Sequence, residues 1–150
     1  MFNLKDKVAV ITGGNGGIGL GIATGIAAAG ASVVLAARNI EKMNDAVRYL
    51  QDQGFQASSM SVDVNDDESI SNLIDETANR YGSLDILVNN AGIGIGKDPQ
   101  DFEESEWDQV MDINLKGTFL GCKHAYKHMM NGGGGKIINI GSMTSIFGLA

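Results

Sequence analysis

Residues 12–19, Thr-Gly-Gly-Asn-Gly-Gly-Ile-Gly, are the stretch of this sequence best suited to hold an anion. An apolar run ends at Thr12 and a helical pattern opens near Gly17, so the glycines turn the chain from strand to helix. Such a turn aims unpaired backbone N–H groups and the positive helix end at one place, and glycine lets a phosphate approach closely. The pyrophosphate of a dinucleotide suits it. Two glycine registers fit: Gly14-x-Gly16-x-x-Gly19, and Gly13-x-x-x-Gly17-x-Gly19, which starts directly after Thr12. A P-loop does not fit, because the string lacks a Gly-Lys-Ser/Thr ending.

A second stretch, Ala36-Ala37-Arg38-Asn39, ends the next apolar run. In dinucleotide-binding folds an acid here binds the ribose 2′-hydroxyl, whereas an arginine accommodates a 2′-phosphate. The first acid is Glu41, so Arg38 predicts NADP(H) as the preferred cofactor, with NAD(H) as the alternative. A third candidate is Ser142, which follows Gly141 at the end of an apolar run; on residue type alone it is a turn residue.

The elements that must position these residues follow from hydropathy. Apolar runs at 7–12, 32–37, 84–90 and 136–142 are nearly continuous in Val, Ile and Leu, the pattern of strands covered on both faces. The run at 56–64 is more polar, as an edge strand can be. Helical spacing appears at 17–29 (Ile18, Ile22, Ile26, Ala29) and at 41–53 (Met43, Val47, Leu50). A third helix opens on a capping box, Asn65 with Glu68, and continues through Ile70, Leu73, Ile74, Ala78 and Tyr81. A fourth runs from Ser105 to about Met130, with Trp107, Val110, Met111 and Leu115 inward. Gly30, Gly54 and Gly82 stand just past the first three helices, where a left-handed residue is wanted. Alternating strands and helices predict an α/β fold with a doubly wound parallel sheet, order 3-2-1-4-5.

Length and charge narrow the partners. A chain of 150 residues is expected to form one domain, residues 1–150. Its net charge of −7 argues against nucleic acid and anionic membrane surfaces. Neither a spanning apolar segment nor a signal peptide is evident, and Cys122 has no partner for an internal disulfide, so the expected location is cytoplasmic. His124 and His128 have a metal-compatible spacing, but no third ligand is suggested and no metal site is expected. Met129, Met130 and Met143 read as gap-fillers, Trp107 as a core anchor, and mid-helix Cys122 shows no sign of activation.

With these residues placed, the chain resembles the short-chain dehydrogenase/reductase family. Thr12-Gly-x-x-x-Gly17-Ile18-Gly19, Asp63-Val64, Asn89-Asn90-Ala91-Gly92, Ile113-Asn114-Leu115 and Gly141-Ser142 match that family's motifs in order. The resemblance favours the second glycine register and a Rossmann fold. It implies an oxidoreductase interconverting a secondary alcohol and a carbonyl by hydride transfer. Its cofactor would contact Thr12, Gly13, Asn15, Gly17, Ile18 and Gly19 at the turn, with Arg38 at the second strand. Asp63 would accept from the adenine amino group beside backbone contacts from Val64. Asn90 would line the adenosine ribose, Gly92 would belong to the same cofactor site, and Asn89 would brace the fourth strand. Ser142 would be catalytic, bonding the substrate oxygen, and Asn114 would bend its helix and help hold a relay water.

The family's proton donor is a tyrosine followed four residues later by lysine. Here Tyr49, Tyr81 and Tyr126 are followed at that distance by Gln53, Asp85 and Met130. The expectation is therefore a record cut short before that pair, inactive by itself; an apolar unpaired edge on the fifth strand points the same way. The alternative is a non-catalytic dinucleotide sensor. Another Rossmann-like binder, such as a methyltransferase, leaves Asn-Asn-Ala-Gly unexplained. The overall pattern is similar to bacterial sugar-acid dehydrogenases and 3-oxoacyl reductases, with a small-molecule substrate entering near "GIGIGKDPQDF". The resemblance also implies a homodimer or homotetramer formed through helix 105–130.

Overall fold

A computed structural model describes residues 2–148. Among them, β1 (Val8–Thr12), β2 (Ser32–Ala37), β3 (Ala57–Ser61), β4 (Ile86–Asn89) and β5 (Lys136–Asn139) form one parallel sheet in the order β3-β2-β1-β4-β5. In register, Ile11 lies between Leu35 of β2 and Val88 of β4. Because strand side chains alternate between faces, β1 feeds two cores. On one face Val10, Val34 and Leu87 pack with Ile70, Leu73 and Ile74 of α3 (Asp67–Tyr81). On the other, Ile11, Leu35 and Val88 pack with Ala23 and Ala27 of α1 (Gly17–Ala28) and with Ala46 and Leu50 of α2 (Ile40–Gln51). Cover on both faces explains the unbroken apolar run of β1, which is buried throughout.

Several local expectations need correction. In α1 the buried residues are Gly19, Ala23 and Ala27; Ile22 and Ile26 are only half-buried, and Ile18 is 70% exposed. The helix lies on its small residues, which bring its backbone close to the sheet, with Ile22 and Ile26 packed at the margin of the core and Ile18 outside it. α3 is capped by Asp66, whose Oδ1 accepts the Glu68 and Ser69 N–H groups at 2.9 and 3.2 Å. Asn65 therefore makes no capping box; its Oδ1 is buried without a hydrogen-bond partner among the described residues. Gly30, Gly54 and Gly82 do adopt positive φ, at 105°, 82° and 81°.

The long fourth helix is in three pieces: α4 (Glu104–Met111), a π-helical turn (Asp112–Lys116), and α5 (Gly117–Asn131). A π turn inserts an extra residue and shifts the helical phase. The inward set is consequently Ile113, Gly117, Leu120, Gly121, Ala125 and Met129. Trp107 and Leu115, expected inward, are each 59% exposed, and Val110 and Met111 are half-buried. Met129 fills the core as expected, but Met130 and Met143 are exposed. At the far edge of the sheet, β5 ends at Asn139 and is exposed along its length, with Gly141 and Ser142 beyond it before a short α6 (Thr144–Phe147).

Candidate dinucleotide site

At the carboxyl end of β1 the chain turns on Gly13, whose φ is 64°, and its N–H donates to Ala36 O at 2.7 Å. A Cβ on Gly13 would lie 2.9 Å from Asn90 Nδ2 and 3.1 Å from Ala91 Cα. A Cβ on Gly19 would strike Gly13 O and Asn90 Nδ2, and Gly17 also has positive φ, at 50°. Gly16, by contrast, is extended and faces open space. A Cβ on Gly14 would also lie 2.9 Å from Ile11 O, so close packing constrains Gly13, Gly14 and Gly19. Gly13 and Gly17 need positive φ, and only the register that begins after Thr12 has all three of its glycines constrained. Among the described residues no side chain caps the first turn of α1, and no acid lies within it. Such a helix end accepts an anion.

Thr12 and Asn90 join this turn to β4. Thr12 Oγ1 accepts the N–H groups of Asn90 and Ala91, each at 3.0 Å. In return Asn90 Nδ2 donates to Thr12 O at 2.9 Å and Gly13 O at 3.2 Å. The Asn90 amide nitrogen is thus bonded to the underside of the glycine turn. Asn89 ties β4 outward: its Nδ2 donates to Asn139 Oδ1 of β5 at 2.8 Å and lies 3.5 Å from both Thr118 O and Cys122 Sγ of α5. Gly121 leaves the room that this amide occupies.

Above the strand ends lies a cavity of about 230 Å³, whose wall includes Gly13, Asn15, Arg38, Asp63, Val64 and Gly92. Six expected residues from four separate segments therefore meet around one space. Thr12 and Asn90 sit behind the turn, while Gly17 and Ile18 lie on its exposed side. Ile93 and Ile113 also line the cavity and were missed. Ile93 has no sequence signal beyond its place directly after Asn-Asn-Ala-Gly, whereas Ile113 opens the Ile113-Asn114-Leu115 motif but was given no cofactor contact. Asn39 lines it too, although its Oδ1 caps α2 by accepting the Lys42 N–H at 2.9 Å. Asp63 steadies its own turn, accepting the Asn65 N–H at 3.0 Å.

Asn114 stands on the π turn, where its amide grips Ile93 from both sides: Oδ1 accepts Ile93 N–H at 2.8 Å and Nδ2 donates to Ile93 O at 2.9 Å. Ser142 does not line the cavity; its Oγ lies 2.7 Å from Thr144 Oγ1 and accepts the Thr144 N–H at 3.2 Å. The two histidines link α5 to α3, His124 Nε2 meeting Asp67 at 2.9 Å and His128 Nε2 meeting Asp75 at 2.5 Å. These contacts hold both aspartates below the usual carboxylate range, the imidazole hydrogen bond being the largest influence in each case. Among the described residues no group of three such side chains could hold a metal ion. Nor is any helix among them long and apolar enough to cross a membrane.

A glycine turn sterically matched to β4, facing a cavity that gathers the ends of four strands, is dinucleotide-site geometry at the carboxyl edge of a doubly wound sheet. The model of the short chain dehydrogenase family matches residues 7–150. The chain belongs to that family. Over 148 residues it is 40% identical to 2-dehydro-3-deoxy-D-gluconate 5-dehydrogenase of Escherichia coli, covering 98% of this chain and 58% of the relative. It is 40% identical to cis-4-hydroxycyclohexanecarboxylate dehydrogenase of Sinomonas cyclohexanicum, covering 97% and 58%, and 36% identical to gluconate 5-dehydrogenase of Gluconobacter oxydans, covering 97% and 57%. A crystal structure of a short-chain type dehydrogenase/reductase from Mycobacterium marinum superposes with a TM-score of 0.93 at 33% identity, over 97% of this chain and 59% of that one. The chain thus spans less than two thirds of the length of these short-chain dehydrogenases.

Proposed function

We propose that this chain forms the dinucleotide-binding and substrate-orienting part of an NADP(H)-dependent oxidoreductase that interconverts a secondary alcohol and a carbonyl. The observation that carries the cofactor choice is Arg38, which shares the cavity wall with Gly13 and Asp63 while no carboxylate ends β2. Arg38 would take the 2′-phosphate, the N–H groups at the start of α1 the pyrophosphate, and Asp63 the adenine amino group. When bound, the dinucleotide accepts or supplies the hydride at the substrate carbon. Ser142, past the end of β5, would donate a hydrogen bond to the substrate oxygen and orient it for that transfer. The relatives named above act, by their names, on hydroxy or keto carboxylates, which supports a substrate of that class.

The acid that protonates the oxygen is a separate matter. No tyrosine in these 150 residues has a lysine four positions later, and the Tyr81 hydroxyl already shares a hydrogen bond with Ser58 at 2.7 Å. Residues 1–150 should therefore bind dinucleotide without turning it over. For assembly, the exposed stripe of Leu115, Phe119, Tyr126 and Met130 supports pairing of two copies along the long helix.

Calorimetric titration of the chain with NADPH and NADH tests this reading. We expect NADPH to bind at least about tenfold more tightly, the value of one charge-assisted contact. Equal affinities would remove the NADP(H) assignment, and no binding of either would remove the dinucleotide site.

A further inference from the structure

Residues 92–103 leave β4 for α4 with little to hold them. Their only regular structure is a 3₁₀ turn at Pro99–Asp101, none of them is buried, and Gly94 and Gly96 loosen the backbone. Yet the segment begins with Gly92 and Ile93, which line the dinucleotide cavity. Its course is fixed by two side chains that reach back from the following helix. One is Asn114, already seen gripping Ile93.

The other is Glu106, on the first turn of α4. One of its carboxylate oxygens meets Lys97 Nζ at 2.5 Å, in the middle of the segment. The second accepts the Glu103 N–H at 3.0 Å, at the segment's end, and the Glu106 N–H in turn donates to the Glu103 backbone carbonyl at 3.0 Å. A tight turn, Lys97 N–H to Ile95 O at 3.2 Å, lies between the two ties. The Glu106 side chain is 24% exposed and that of Lys97 41%, so the pair is partly sheltered. Lys97 is also the one cation between Arg80 and Lys116, in a stretch that carries Asp98, Asp101, Glu103, Glu104 and Glu106. Without it the segment and the start of α4 would present only like charges to each other. Lys97 first, and then the Glu103 N–H, hold the Glu106 carboxyl below the usual range.

We propose that Glu106 is a positioning residue, whose ion pair with Lys97 latches residues 92–103 along α4 and so presets the Gly92–Ile93 wall for dinucleotide. A wall already in place spares the ordering that binding would otherwise require, and the gain appears as affinity. The inference rests on the proposed dinucleotide site.

Lys97→Met and Glu106→Gln separate the latch from the helix cap, since Gln keeps an oxygen for the Glu103 N–H and Met keeps the lysine stem. Each variant should weaken NADPH binding about 2- to 5-fold, the range for a partly exposed ion pair. The double variant should be no weaker than either single one, because the two side chains act as a unit. Amide hydrogen exchange over 93–98 should quicken in all three, with α5 unchanged. Singles that bind NADPH like the parent, losses that multiply in the double variant, or unaltered exchange over 93–98 would each overturn the latch. If the parent chain binds no NADPH the functional reading fails, and the exchange rates still decide the latch by themselves.

Discussion

Arg38 and Thr12 show two ways in which a single side chain can matter here. Arg38 faces the cavity, and its guanidinium offers the planar, permanently charged donors that suit a phosphate. Replacing it with Ala should weaken NADPH binding roughly 10- to 100-fold, the value of a hydrogen bond to a charged group, and leave NADH nearly unchanged. A parallel loss for both cofactors in the same titration would mean that Arg38 serves the fold or the pyrophosphate instead. Thr12 acts within the fold, its hydroxyl accepting two backbone N–H groups of the turn after β4. The glycine spacing and Arg38 were legible because composition and order alone determine them. The direction of the Asn90 amide was not, because it depends on two turns meeting across 78 positions of sequence. Ile93 and Ile113 were missed for a similar reason, since an ordinary apolar residue lines a cavity only once the strands are assembled.

At the scale of elements, strand number and order were legible, while the division of the fourth helix, the short α6 and the helix faces were not. A sheet buried on both sides leaves a clear mark in β1 and β2, and the polar β3 falls at an edge as its composition suggests. The π turn at Asp112–Lys116 leaves no comparable mark, and Leu115, which it carries, lies at the surface. The strands are also pinned at their amino ends. Asp85, just before β4, accepts Lys7 Nζ at 2.8 Å, Val8 N–H at 2.9 Å and the Ser83 hydroxyl at 2.8 Å. Burial works to raise this carboxyl, and the three donors more than reverse it, leaving its pKa below the usual range. A group depressed in the folded state contributes stability above its unfolded pKa and loses it as pH falls through the folded one. Asp85→Asn should therefore cost about 1–3 kcal/mol near neutrality, with the deficit shrinking as pH falls below the ordinary aspartate range of about 4. Urea melts of both proteins across that range measure it; a deficit that stayed constant into acid would contradict the assignment.

For the whole molecule, two of the apolar features on the described surface differ in meaning. Ile137, Ile138 and Ile140 are partly exposed along β5, whose amide and carbonyl groups make it an edge. The stripe on the long helix is contiguous with the π turn that carries Asn114, so two copies pairing there would also brace the segment that grips Ile93. Phe119→Glu should shift the chain towards monomer in sedimentation at micromolar concentration, without loss of secondary structure. An unchanged sedimentation profile would place any self-association elsewhere. Charge and length spoke to partners in general terms, but neither assembly nor the substrate could be read from residue types, because both depend on surfaces formed by distant segments.

The most direct measurement is a crystal structure of this chain grown with excess NADPH. It should show the pyrophosphate over the Gly13–Gly19 turn, the 2′-phosphate against Arg38, and the nicotinamide directed towards the end of β5. A turn left empty at saturating cofactor, or a 2′-phosphate lying away from Arg38, would contradict the account.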